Sequence, residues 1–330
     1  MSFSLSTVTL SDLSVIEVSG ADAVSFLHGQ LSHDMNALVP GQARLAGYCT
    51  AKGRLLGTMI VWLAAGTEVP TLRLLTKANI AEAVAKRLSM FVLRAKVKIA
   101  VTQIPVLGIT TAADQTSSSP DLPGLAEKLP PNPAPMQVEY TDAGDAIAAP
   151  QAGNQAVRWW LAASNPVDTT SSKAAQASWQ AADMAAGLPW IESATQDMFI
   201  PQTLNLDLID GVSFSKGCYP GQEVVARSHY RGTVKRRMAY GTLRCGPDTD
   251  ASTLAGSDTF DASNPEQPVG RIVNAAATTP AEPGTEANNS MLIHVLMEVQ
   301  LADLGQADFR LNSSTGPIIT VQDLPYSIKA

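Results

Sequence analysis

Reactive chemistry concentrates in one segment, Phe214-Ser215-Lys216-Gly217-Cys218-Tyr219-Pro220-Gly221-Gln222-Glu223. Its glycines and proline impose a tight turn with the thiol near the apex. Pro220 suits the first turn of a helix running through Glu223, Val224, Val225 and Arg227. Cys218 then stands just before a helix amino terminus and two residues after Lys216. Both features would favour the thiolate. The expected chemistry is that of a nucleophile, a redox-sensitive thiol or a metal ligand. The plainer alternative is a small buried residue in a turn, since free cysteine is among the most buried residue types.

Downstream, Arg227, Arg231, Lys235, Arg236 and Arg237 place five cations within eleven residues of an acidic chain. Arginine forks in such a strip suit carboxylate or phosphate oxygens. A strand edge kept soluble by charge is the alternative. No CxxC, HExxH or GxGxxG occurs, and none of the four histidines pairs at metal-ligand spacing. A cluster held by this chain alone would want about four cysteines, whereas Cys49, Cys218 and Cys245 are the only three and lie far apart. No metal site of its own is expected.

The elements that must position these residues show mixed α and β signals. Val15–Val18 reads as a strand, and Ser19 with Asp22 has capping-box spacing for a helix carrying Val24, Leu27 and Leu31 on one face. Residues 45–50 and 55–63 read as strands joined by a hairpin tip at Lys52-Gly53. A strand at 72–75, an amphipathic helix through Ile80, Val84 and Leu88, and a strand at 92–101 follow. A helix over roughly 173–186 stops at Gly187 and Pro189. After residue 235 only short strands remain, as in a small β-barrel or sandwich. The expected class is α+β. The expected division is 1–235, with two α+β subdomains parted near 110–135, and 236–330. Polar or Pro-rich loops are expected at 110–135, 164–172 and 278–290.

A hydrophobic fraction of 45% in 330 residues supports sizeable cores and excludes a disordered chain. The net charge of −7 argues against general nucleic-acid coating. The amino terminus lacks the basic start and apolar run of a secretory signal. The longest apolar run, Leu55–Ala65, is half of the ~20 residues a membrane span needs. A cytoplasmic protein with free thiols and no membrane partner is expected.

Lys216-Gly-Cys218-Tyr-Pro-Gly-Gln222-Glu223 resembles the K-G-C-Y-x-G-Q-E signature of the YgfZ family of folate-binding proteins. The likeness extends through Phe199-Ile-Pro-Gln-Thr-Leu-Asn205 and Val225-Ala-Arg227. Gly20–Asp34, Cys49–Arg54 and Val269–Ile272 also resemble family segments. The resemblance implies a T-protein-like fold, with ferredoxin-like subdomains around a central folate channel and a carboxyl-terminal β-barrel. It further implies tetrahydrofolate or a derivative as cofactor. The implied partners are iron–sulfur proteins or their assembly machinery, with effects on tRNA-modifying iron–sulfur enzymes. Direct binding of nucleic acid is not expected. Cys218 and Lys216 become the reactive pair. Trp179, Gln222, Glu223, Arg227, Arg231, Lys235 and Arg236 become the folate set, with the pterin near Trp179 and the anionic tail toward Arg231, Lys235 or Arg236. An indole can stack on a pterin; Trp179 as a core anchor is the alternative.

Two departures bear on activity. The superfamily's aminomethyltransferases carry G-G-x-x-x-D-D where this chain has Lys52–Thr58, without a carboxylate. Glycine cleavage is therefore disfavoured. The family's E-A-G appears as Ala185-Ala186-Gly187, which removes a carboxylate able to read the pterin edge, and a further tryptophan appears as Leu13. An accessory factor is the leading expectation. A one-carbon transferase and an RNA module using 227–237 are the alternatives.

Overall fold

A computed structural model describes residues 4–112, 122, 124–153, 155–167, 172–230, 232, 234–278 and 290–328. The chain begins with β1 (Ser4–Thr9), β2 (Leu13–Ser19), α1 (Ala23–His28), β3 (Arg44–Cys49), β4 (Leu55–Leu63), β5 (Thr71–Lys77), α2 (Ala78–Ser89) and β6 (Lys98–Val101). It continues with β7 (Val106–Ala112), α3 (Leu125–Lys128), β8 (Val138–Thr141), β9 (Gly144–Ala148), β10 (Val157–Ala163), α4 (Lys173–Ala185) and α5 (Gln222–Tyr230). The last strands are β11 (Arg236–Cys245), β12 (Asp258–Asp261), β13 (Asn264–Thr278), β14 (Met291–Gln300), β15 (Phe309–Leu311) and β16 (Thr320–Gln322). Among the described residues no helix is long and apolar enough to cross a membrane.

The strands form three antiparallel sheets, ordered β3-β4-β5-β2-β6, β1-β7-β10-β9-β8 and β15-β12-β13-β14-β11-β16. β1 leaves the first sheet's sequence neighbourhood to pair with β7 in the second. β4, Leu-Leu-Gly-Thr-Met-Ile-Val-Trp-Leu, is buried at all but two positions. It is apolar at all but Thr58 because both faces are covered. α2 lies over Gly57 through Ile80 and Val84. On the other side the Thr58 hydroxyl donates to the Pro189 carbonyl at 3.0 Å and accepts from the Ile191 N–H at 3.0 Å. Trp62 Nε1 and Arg73 Nη1 both donate to Asp145 at 2.8 Å, tying the first sheet to the second.

The third sheet curls on itself. Arg310 bridges Ile318, and the Ile319 N–H donates to the Phe309 carbonyl at 2.8 Å, so β15 meets the approach to β16. Its interior is filled by Leu243, Ile272, Val295, Met297 and Phe309.

Several local expectations shift. α1 begins after Asp22, but the Asp22 carboxylate accepts from the Lys96 N–H at 2.7 Å and makes no helix cap. The strand expected over 92–101 shortens to Lys98–Val101, because this edge strand pairs only with Ile16–Ser19 of β2. α5 starts at Gln222, leaving Pro220 in the preceding turn. The expected loops fall partly outside the described residues, at 113–121, 123, 168–171 and 279–289.

Candidate functional site

The Cys218 turn is held from two sides. Lys216 is buried, and its ammonium donates to the carbonyls of His28 and, at 2.6 Å, Leu31, at the end of α1. Desolvation brings its pKa down to about 8, against the opposing pull of Asp34 and Cys218. Its nitrogen also lies 4.9 Å from the centre of the Tyr219 ring. On the other side, Gly221 (φ +81°) meets the hairpin tip at Gly53 (φ +75°). A Cβ on Gly221 would overlap the Thr50 carbonyl oxygen and lie 2.6 Å from Gly53 Cα. Only two glycines permit this backbone approach. Farther along, Phe214 stacks on His229 at 3.7 Å between ring centres and so returns the end of α5 to the start of the loop.

The result is a braced loop with an exposed thiol. Cys49 and Cys245 are buried, and burial pushes the Cys49 thiol up to about 12. Cys218 alone faces solvent, so the buried-turn alternative does not hold for it. Lys216 serves here as the bolt that fixes the loop to α1.

The remaining expected residues do not assemble around one ligand. Trp179 is 4% exposed. A Cβ on Gly108 would overlap its ring, and the Arg158 guanidinium lies 4.7 Å from the ring centre. Its surroundings are those of a core anchor, the alternative that the sequence leaves open for it. Gln222 Nε2 reaches back to the Lys216 carbonyl at 3.5 Å. Glu223 and Arg227 pair with each other at 2.6 Å on the exposed face of α5. Lys235 is exposed. Arg236 pairs with Glu298 at 2.9 Å, and buried Arg237 grips Asp207 with two bonds of 2.6 and 3.1 Å. Arg231 lies outside the described residues. The cationic strip is therefore largely consumed by ion pairs that fasten the barrel and α5.

A cavity of about 390 Å³ opens where the first sheet, α4 and the barrel meet. That volume is within the range of small-molecule sites, roughly 300–1,000 Å³. Met184 and Trp190 supply its apolar wall, while Asp12, Lys77, Gln180, Glu192 and Asn274 supply polar groups. Asp12 is saturated. Its Oδ1 accepts from Gln176 Nε2 at 2.6 Å, and its Oδ2 accepts from Lys77 Nζ at 2.6 Å and Gln180 Nε2 at 2.8 Å. Desolvation opposes ionisation of Asp12, but Lys77 and the two amides outweigh it and hold the carboxyl below its ordinary value. Glu192 has the opposite character, since burial raises its pKa. Asn274 fixes this corner by accepting from the Trp190 N–H at 2.9 Å and donating to the Trp190 carbonyl at 2.7 Å.

No residue of 214–230 lines this cavity. Sequence reading missed Asp12, Lys77, Gln180, Glu192 and Asn274. Each is an ordinary surface-type residue in its own segment, and no local spacing links them. A second cavity of about 360 Å³ lies beside Arg44 and Asp210, but those two charges already pair at 3.1 Å. Among the described residues no group of three or more His, Cys, Asp or Glu is arranged to hold a metal ion.

Three sheets of this order, with a curled terminal sheet and a cavity between the first sheet, α4 and the barrel, define a T-protein-like architecture. The structure is similar to the glycine cleavage system aminomethyltransferase T from Bartonella henselae, with a TM-score of 0.65 at 17% identity, covering 98% of this chain and 86% of that one. The expected fold class is met. A scan against protein-family models finds no match. The tRNA-modifying protein YgfZ of Edwardsiella ictaluri is 32% identical over 242 residues, covering 71% of this chain and 70% of the relative. The Klebsiella pneumoniae protein of the same name is 27% identical over 331 residues, covering 98% and 94%. This chain belongs to the YgfZ family.

Proposed function

We propose that the protein binds a reduced folate in the cavity between the first sheet, α4 and the barrel, and supports tRNA modification as an accessory factor to iron–sulfur enzymes. The observation that carries the reading is that cavity: partly open to solvent, of ligand size, with an apolar wall and a set of amides and carboxylates fixed by their own hydrogen bonds. Such a composition suits a flat heterocycle with donors and acceptors along its edge. Met184 and Trp190 would flank the ring system, with Gln180, Glu192, Asn274 and Lys77 around its polar rim. A bound folate supplies a one-carbon carrier. The residues of this chain bind and orient it and keep water from its ring. The relatives' name, tRNA-modifying protein, supports the link to tRNA modification.

Cys218 is the second working part of this proposal. Exposed on a braced loop, it is placed to meet a partner's cluster, sulfur or oxidised thiol. Cys218→Ala removes no packing, so its melting temperature should match the parent's. In a strain lacking its own family member, the variant should fail to restore iron–sulfur-dependent tRNA modification. Full restoration removes the thiol from the function.

The second reading, a one-carbon transferase, gains one specific observation. β4 offers no carboxylate, yet Asp12 and Glu192 bring two into the cavity. Turnover of methylene-tetrahydrofolate with candidate amines distinguishes an enzyme from a binding protein.

A further inference from the structure

We infer that Glu192 is the specificity-determining residue of the cavity, reading the paired N3–H and 2-amino donors of a pterin ring. This inference rests on the folate reading above and deepens it. Two carboxylates line the cavity, and their hydrogen-bonding capacity differs. A carboxylate offers about four lone-pair directions. Asp12 has three committed to Lys77, Gln176 and Gln180, with the Lys77 charge beside it. It has no room for a bidentate partner. Glu192 accepts from Asn274 Nδ2 at 3.2 Å, and Asn79 supplies one further amide.

The two amides on Glu192 come from different elements, α2 and β13. Held between them, the carboxylate keeps acceptor capacity for the cavity. Two parallel N–H donors on one edge of a heterocycle match two carboxylate oxygens, as a guanidinium does. A pterin has that edge; a 2-oxo ring does not. The neighbourhood also supports a carboxylate that gains from a new donor pair. Burial makes the free Glu192 harder to ionise, and two N–H bonds from a ligand would restore what water no longer supplies. The charged groups facing it are Lys77, which favours ionisation, and Asp12, which opposes it. Among the described residues Asp12 is the one other carboxylate lining this cavity, and its oxygens are already committed to Lys77, Gln176 and Gln180.

The test compares pterin with lumazine, which carries a carbonyl in place of the 2-amino group, by calorimetric titration of the full chain. Tetrahydrofolate is run alongside. The parent protein should prefer pterin by on the order of 100-fold, because lumazine aims an acceptor at a carboxylate. Glu192→Gln keeps the shape and an oxygen for Asn274 or Asn79, and adds an amide donor for the lumazine carbonyl. This variant should lose pterin affinity, gain lumazine affinity and bring the ratio near one, with an unchanged melting temperature. A parent that binds pterin and lumazine equally, or a variant that keeps the parent's ratio, overturns the role of Glu192 while folate binding stands. A parent that binds neither pterin nor tetrahydrofolate overturns the folate reading and this inference with it.

Discussion

Replacing Gly221 by alanine is expected to release the Cys218 loop from the Thr50–Arg54 hairpin while the three sheets stay folded. The hairpin is itself closed, with the Thr50 N–H donating to the Arg54 carbonyl at 2.8 Å and the Gly53 N–H to the Thr50 carbonyl at 2.9 Å. A methyl group at Gly221 meets backbone there, not the yielding end of a side chain. Its φ of +81° adds strain for any residue with a Cβ, about 1–3 kcal/mol. Overpacking adds about 1–3 kcal/mol more. Undocking relieves both, because few buried contacts hold α5, whose only buried side chain is Val225. Amide exchange over 216–230 should accelerate by a factor of about 100 or more, the equivalent of ~3 kcal/mol. Exchange at the parent's rate in this segment would show that the glycine contact does not hold the loop.

Asp183→Ala is expected to destabilise the whole molecule. Arg158 Nη1 donates to Asp183 Oδ1 at 2.7 Å and Trp190 Nε1 to Oδ2 at 3.1 Å, all of them buried. Burial raises the Asp183 pKa, with Arg158 and the Trp190 hydrogen bond opposing it. Removing the carboxylate leaves a guanidinium and an indole N–H without this partner inside the core. Breaking a buried pair in this one-sided way costs about 3–5 kcal/mol. The loss should appear as a lower urea midpoint, with folate affinity falling as well, since Trp190 forms the cavity wall. A change of midpoint within the scatter of surface substitutions would show that Arg158 finds another partner.

What the sequence revealed was local. The hairpin tip at Lys52-Gly53 and the stop of α4 at Gly187 (φ +70°) each depend on neighbours within a few residues, whereas the turn around Cys218 is written locally but braced by the distant His28, Leu31 and Thr50. Turn and cap chemistry of that range is written in the residues themselves. The cationic strip misled for the opposite reason. Glu298 and Asp207, which neutralise Arg236 and Arg237, stand 62 and 30 residues away. Trp179 likewise depends on Gly108, on a strand paired in another part of the chain. The cavity was the least legible feature. Asp12 precedes β2, Lys77 ends β5, Gln180 sits on α4, Glu192 lies in an irregular segment and Asn274 belongs to β13. Their meeting is a property of sheet order, which no single segment encodes.

The proposed seat of a reduced folate, between the first sheet, α4 and the barrel and apart from Cys218, is tested by amide exchange of the full chain with and without saturating tetrahydrofolate. Protection should rise at residues 11–12, 77–79, 176–184, 190–192 and 274–275, and stay unchanged over 214–230. Protection confined to the cysteine loop, or none anywhere, would contradict that placement.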